Sequence, residues 1–213
     1  MSLSYRTGAL GTHREDASAS TPALVLLHGY GADENDLAGL APLVAPESPW
    51  YSVRAPHRLP QGGNAWFQIT TPGRPDPAVV EAATAELWDW IDGALGEGTP
   101  IIAAGFSQGG LMATQLLRTR PERVAATVVL GGFVLGAAQP ADEALASARP
   151  RGFWGRGEDD HVIAADAVAR TAEWMPRHTT LTARTYAGLG HGISAAEIDD
   201  VRAFLGSAAT PRA

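Results

Sequence analysis

Residues 104–110 read Ala-Gly-Phe-Ser-Gln-Gly-Gly, so Ser107 stands between Gly105 and Gly109 at the spacing G-x-S-x-G. A nucleophilic serine uses this spacing when it sits on a strained turn between a strand and a helix, where the glycines leave room for the two elements to approach closely. The same five residues also describe a helix N-cap serine with packing glycines. The partners decide between the two readings, because a serine hydroxyl needs a base within hydrogen-bond reach and the base needs a carboxylate to orient it. Three histidines follow Ser107 in the chain: His161, His178 and His191. His178, in "PRHTT", reads as a solvated connector between a helix and a strand. His161 directly follows an acid cluster and would share one loop with its own orienter. His191, in "GLGHGIS", lies in a glycine-flanked loop beyond a strand end and is the expected base. The acid is one of Glu158, Asp159 and Asp160. Three adjacent acids also make a solvated turn or a cap for the following helix, and the last of them is best placed to point at His191.

Acyl transfer at a serine creates an oxyanion, which preorganised backbone N–H groups stabilise. The loop "LHGYGADEND" (27–36) supplies one candidate donor, since Gly29 and Gly31 let the backbone at Tyr30 turn its N–H inward. The residue after the nucleophile, Gln108, supplies the second. Asp33 and Asn35 read as helix caps, and the loop lacks the alternating acids of a calcium site. Trp66 and Phe67 lie at the centre of the Pro- and Gly-rich stretch 57–77, which reads as one long loop. Adjacent aromatics are either core anchors or a wall of the acyl pocket, and both roles stay open.

These residues need elements to hold them at strand ends, where open parallel sheets bind ligands. Apolar strand patterns at 23–29, 51–56, 100–106, 125–133, 152–157 and 181–188 alternate with helical patterns at 35–45, 77–94, 108–120, 162–175 and 194–206. Asp76 followed by Pro77 marks a helix start, and Gly96 a helix end. A further strand is expected near Tyr5, and 135–150 has no clear period. The alternation predicts an α/β fold, a mostly parallel central sheet with helices on both faces. With 213 residues and no linker, a single domain is expected, leaving no room for a large cap domain. The net charge of −7 argues against nucleic acid and anionic lipid as partners. The chain has no cysteine, which removes disulfides, thiolate catalysis and cysteine metal sites. No signal-peptide pattern and no long apolar run is present, so a cytoplasmic location without stable membrane insertion is expected.

Five segments, "LHGYGADENDL" (27–37), "RAP" with "GGNAWF" (62–67), "GFSQGG" (105–110), "GRGEDDHV" (155–162) and "GLGHGIS" (188–194), come in an order and at separations that resemble one family. It is the small carboxylesterases grouped with acyl-protein thioesterases and lysophospholipases, a branch of the α/β hydrolases. The resemblance covers nearly the whole chain. It implies the α/β-hydrolase fold, Ser107 as nucleophile, Asp160 as orienting acid and His191 as general base and acid, with the N–H groups of Tyr30 and Gln108 as oxyanion hole. It also implies hydrolysis of carboxylic esters or thioesters with no cofactor and no metal. Gln68 stands where the family usually has aspartate, and Ala164 where proline is common, which bears on substrate preference and loop shape.

The expectation is therefore a serine carboxylesterase with an open site for short or medium acyl esters, with thioesters or lysophospholipids as further substrates. Its partner is a small-molecule ester or thioester, and a homodimer stays open. The rival readings are a catalytically silent ligand-binding protein on the same fold, and an acyltransferase using the same triad.

Overall fold

The computed structural model describes residues 3–8 and 21–207. Its strands are β1 (Tyr5–Gly8), β2 (Ala23–Leu27), β3 (Trp50–Val53), β4 (His57–Arg58), β5 (Asn64–Ala65), β6 (Ile101–Phe106), β7 (Val124–Leu130), β8 (Arg151–Gly157) and β9 (Thr180–Tyr186). The helices are α1 (Ala41–Val44), α2 (Pro77–Leu95), α3 (Gln108–Thr119), α4 (Asp142–Ala148), α5 (Ala165–His178) and α6 (Ala195–Gly206).

Seven strands form one sheet in the order β1-β3-β2-β6-β7-β8-β9. Only β1 runs antiparallel to its neighbour, pairing Tyr5 with Val53, and this is the strand expected near Tyr5. The central strands are apolar on both faces because helices cover both. In β2, Ala23, Val25 and Leu27 pack on the side of α2 and α3, whereas Leu24 and Leu26 pack with α1 and α6. From β2 the chain moves outward to β3 and later returns to start β6 beside β2. The strand order reverses there, which opens a crevice at the carboxyl ends of β2 and β6.

Helix α2 starts as its sequence requires: the Asp76 carboxylate accepts from the Ala78 N–H at 3.0 Å, and Pro77 takes the first position, where no N–H is needed. Helix α6 begins on a capping serine, the Ser194 hydroxyl accepting from the N–H of Glu197 at 3.2 Å.

Three expectations are corrected. The segment 35–45 is a 3₁₀ turn at Ala38–Leu40 followed by the single turn of α1, not one helix. Pro42 has no N–H to give to residue 38, so it begins a turn afresh. The stretch 57–77 is not one structureless loop, since β4 and β5 pair as a hairpin turned by Gly62 and Gly63 at φ 97° and 72°. The irregular stretch 135–150 contains α4. Leu145 is the one residue α4 buries, so no apolar period betrays it. The helix is held instead by Asp142, which takes two hydrogen bonds from the buried Arg118, at 2.8 and 2.6 Å.

Candidate active site

Ser107 follows β6 directly and precedes α3, with φ 54° and ψ −116°. A non-glycine residue holds such a conformation only where its surroundings impose it. Two glycines make room for the close approach of strand and helix that goes with it. A Cβ on Gly105 would lie 2.1 Å from the Gly109 carbonyl oxygen, and one on Gly109 would lie 1.9 Å from that of Leu27. Ser107 caps nothing with its side chain. Its N–H donates to the Leu130 carbonyl at 2.9 Å, and its own carbonyl accepts from Gly110 and Leu111.

His191 Nε2 lies 2.9 Å from Ser107 Oγ, and His191 Nδ1 lies 2.8 Å from Asp160 Oδ2. The imidazole edge facing the acid thus carries the proton when the ring is neutral, leaving Nε2 free to accept from the serine. Asp160 is fully engaged. Its other oxygen, Oδ1, accepts from the N–H groups of Val162 and Ile163 at 3.0 and 3.3 Å. The side chains of His191 and Asp160 are 16% and 4% exposed, while Glu158, Asp159 and His161 face solvent. Phe106 packs against the imidazole with ring centroids 4.8 Å apart. His178 is no solvated connector: it ends α5 stacked on Trp174 at 4.3 Å, with Nδ1 bonded to the Trp174 carbonyl.

The main chain sets this arrangement. The Glu158 N–H donates to the Tyr186 carbonyl and the Asp159 N–H to that of Leu189, joining the acid loop after β8 to the histidine loop after β9. Gly157 lets them close, since a Cβ there would lie 1.9 Å from the Leu189 carbonyl oxygen. The end of β7 links both halves. The Leu130 carbonyl receives the Ser107 N–H, and the N–H of the next residue, Gly131, donates to the Gly155 carbonyl at 2.8 Å.

The N–H groups of Tyr30 and Gln108 have no hydrogen-bond partner among the described residues. The Tyr30 loop is held by the β4–β5 hairpin. The Gly31 N–H donates to the Asn64 carbonyl at 2.9 Å, and the Asn64 N–H to that of Ala32 at 2.8 Å. Beneath the loop, the fully buried His28 donates from Nδ1 to the Gly29 carbonyl at 2.7 Å and accepts the Ala55 N–H on Nε2 at 3.0 Å. Burial holds its pKa below the usual histidine range, which keeps the ring neutral as both bonds require.

Trp66 and Phe67 do not wall a substrate pocket. They are 1% and 2% exposed and belong to the core that α2 and α3 cover. Trp66 donates from its indole N–H to the His28 carbonyl at 2.9 Å. The Gln108 side chain bridges the pair, accepting from the Trp66 N–H at 2.9 Å and donating to the Phe67 carbonyl at 2.8 Å. Sequence reasoning drew only on the backbone of Gln108 and missed its side chain, although an amide after the serine and an aromatic pair in a long loop were both in view.

A family model for phospholipases and carboxylesterases matches residues 14–208. The chain belongs to the phospholipase/carboxylesterase family. Solved structures share its fold, the α/β-hydrolase fold. A Bacillus cereus carboxylesterase superposes with a TM-score of 0.79 at 23% identity, covering 97% of this chain and 94% of that one. A carboxylesterase from Mesorhizobium loti gives 0.73 at 24% identity, covering 89% and 90%. By sequence, the pimeloyl-[acyl-carrier protein] methyl ester esterase of Aromatoleum aromaticum is 34% identical over 139 residues, 62% of this chain and 48% of that protein. The MhqD protein of Bacillus subtilis is 33% identical over 110 residues, 49% and 54%. The chain thus spans about half the length of these two relatives. No described helix is long and apolar enough to cross a membrane.

Proposed function

We propose that this chain hydrolyses small carboxylic esters or thioesters of short to medium acyl chain through an acyl-enzyme on Ser107. The observation that carries the reading is His191 bridging Ser107 Oγ and Asp160 Oδ2 at 2.9 and 2.8 Å, and it is supported by the N–H groups of Tyr30 and Gln108, which have no hydrogen-bond partner among the described residues. Each group then has one task. His191 Nε2 takes the Ser107 proton as Oγ bonds to the substrate carbonyl carbon, and Asp160 holds the imidazole in its tautomer and stabilises the imidazolium. The oxyanion falls to the N–H groups of Tyr30 and Gln108, each such donor being typically worth ~10²–10³ in rate. His191 returns the proton to the leaving atom, and water bound in its place cleaves the acyl-enzyme by the same steps in reverse order of roles. No cofactor enters this scheme.

Fluorophosphonate labelling followed by digestion tests it. Ser107 is expected to carry the label, and Ser107→Ala to lose both label and hydrolysis of aryl acetate and butyrate. Equal hydrolysis by wild type and Ser107→Ala, or an unlabelled Ser107 in folded protein, overturns the reading.

A further inference from the structure

Beside His191 lies a groove of about 320 Å³, within the ~300–1,000 Å³ that small-molecule sites commonly occupy. Leu37 and Leu40 line it from the segment leading into α1, Ile193 and Ile198 from the histidine loop and α6, and Phe106 from the end of β6. Asp36 lines it as well and is exposed to solvent. We propose that this groove receives the leaving half of the substrate, an uncharged apolar alcohol or thiol, an inference that rests on the ester-hydrolase reading above.

The argument begins with what the groove touches. His191 is among its lining residues, whereas Ser107, Tyr30 and Gln108 are not. An occupant therefore touches the imidazole and touches neither the nucleophile nor the two candidate oxyanion donors. In acylation the bond between Ser107 Oγ and the carbonyl carbon forms and the bond from that carbon to the leaving oxygen or sulfur breaks. The leaving atom takes the proton that His191 Nε2 removed from Ser107. It must then lie within hydrogen-bond reach of His191, so the chain attached to it departs from the imidazole's neighbourhood. The acyl chain departs from the carbonyl carbon and has no such requirement. Of the two halves of an ester, the leaving half is the one that His191 directs into this groove.

The lining defines the chemistry. Phe106 packs on the imidazole and carries apolar surface from the reacting atoms to the four aliphatic side chains. Asp36 forms no ion pair among the described residues. It repels a carboxylate or phosphate on the leaving group, which sets alkyl esters ahead of esters of acidic alcohols.

Two ester series that start from methyl acetate test the proposal on wild-type protein. One lengthens the alcohol (ethyl, butyl and hexyl acetate), and the other lengthens the acyl chain (methyl butyrate and hexanoate). Along the alcohol series kcat/KM is expected to rise about fourfold per methylene until the groove is filled, the gain that burying each CH₂ provides. The anion 6-acetoxyhexanoate is expected to fall at least tenfold below hexyl acetate, with Asp36→Asn narrowing that gap. Leu40→Asp is expected to lower the ratio of hexyl to methyl acetate at least tenfold without shifting the ratio of methyl hexanoate to methyl acetate. A flat alcohol series in the wild type overturns the proposal, as does a Leu40→Asp effect confined to the acyl series. If Leu40→Asp does not fold, the wild-type series alone decides. Folded wild-type protein that cleaves none of these esters overturns the hydrolase reading itself, an outcome distinct from discrimination on the wrong half.

Discussion

Asp160 does two things with two oxygens. Oδ2 meets His191 while Oδ1 closes the turn that leads towards α5. Asp160→Asn separates these tasks, because an amide keeps an oxygen for the turn and offers an N–H to the imidazole. The ring must then carry its proton on Nε2 and cannot accept from Ser107. The variant is expected to keep its melting temperature within a few degrees and to lose ~10⁴ in kcat, the magnitude a wrong tautomer produces in such triads. Steady-state kinetics and thermal unfolding on the same preparation check both halves. At this scale the sequence was legible for Ser107 and His191, each alone in a glycine-flanked loop after a strand pattern. Among three adjacent acids, position at the end of the strand and the family resemblance favoured Asp160; residue type did not, because such acids look alike until the backbone buries one and exposes two. The role of the Gln108 side chain was illegible, since its partners are main-chain atoms of Trp66 and Phe67, about forty residues away.

Among the elements, the β4–β5 hairpin carries a consequence for rate. Its backbone bonds to Gly31 and Ala32 fix the loop whose Tyr30 N–H is the proposed oxyanion donor. The contact has no slack, because a Cβ on Gly63 would lie 1.8 Å from the Gly31 carbonyl oxygen and Gly63 has a φ of 72°. Gly63→Ala is therefore expected to push the loop away and lower kcat/KM by ~10²–10³, the value of one such donor. Fluorophosphonate labelling of Ser107 with intact circular dichroism would show that the nucleophile and fold survive. The six main strand patterns and the long helices were legible because burial on two faces or one writes a period into the residues. The hairpin was not, since two-residue strands are too short for any period. Its pairing is fixed by glycine conformations and by carbonyls remote in the chain.

Across the whole molecule, the least reconciled group is Glu197. It is 0% exposed on α6, and neither of its carboxylate oxygens has a hydrogen-bond partner among the described residues. It presses on β8, where a Cβ on Gly155 would meet Oε1. Burial pushes its pKa up from 4.5 to about 7, against the pull of the Ser194 backbone and with the nearby Asp200 adding to the rise. A carboxyl raised in the folded state binds its proton more tightly there than in the unfolded chain. Its contribution to stability is thus whole below about pH 4.5 and is lost as pH rises through about 7. Glu197→Gln is expected to melt higher than wild type at pH 8 and to lose less melting temperature than wild type between pH 5 and 8. A steeper loss in the variant would refute that account. Nothing in the sequence marked Glu197, because "SAAE" reads as an ordinary helix start whose acid points to water.

The bonds at the end of β7 bear on how the chemistry can fail. Asp160 and His191 ride on two loops stitched to each other by main-chain hydrogen bonds, so they form one body whatever their side chains are. Ser107 belongs to another body, and the neighbouring residues Leu130 and Gly131 are the joint between them. The serine and the acid–base pair are thus tied together through two adjacent residues at the end of β7. Damage at that joint is expected to leave acid and base in partnership and to act by changing how far that pair stands from the serine.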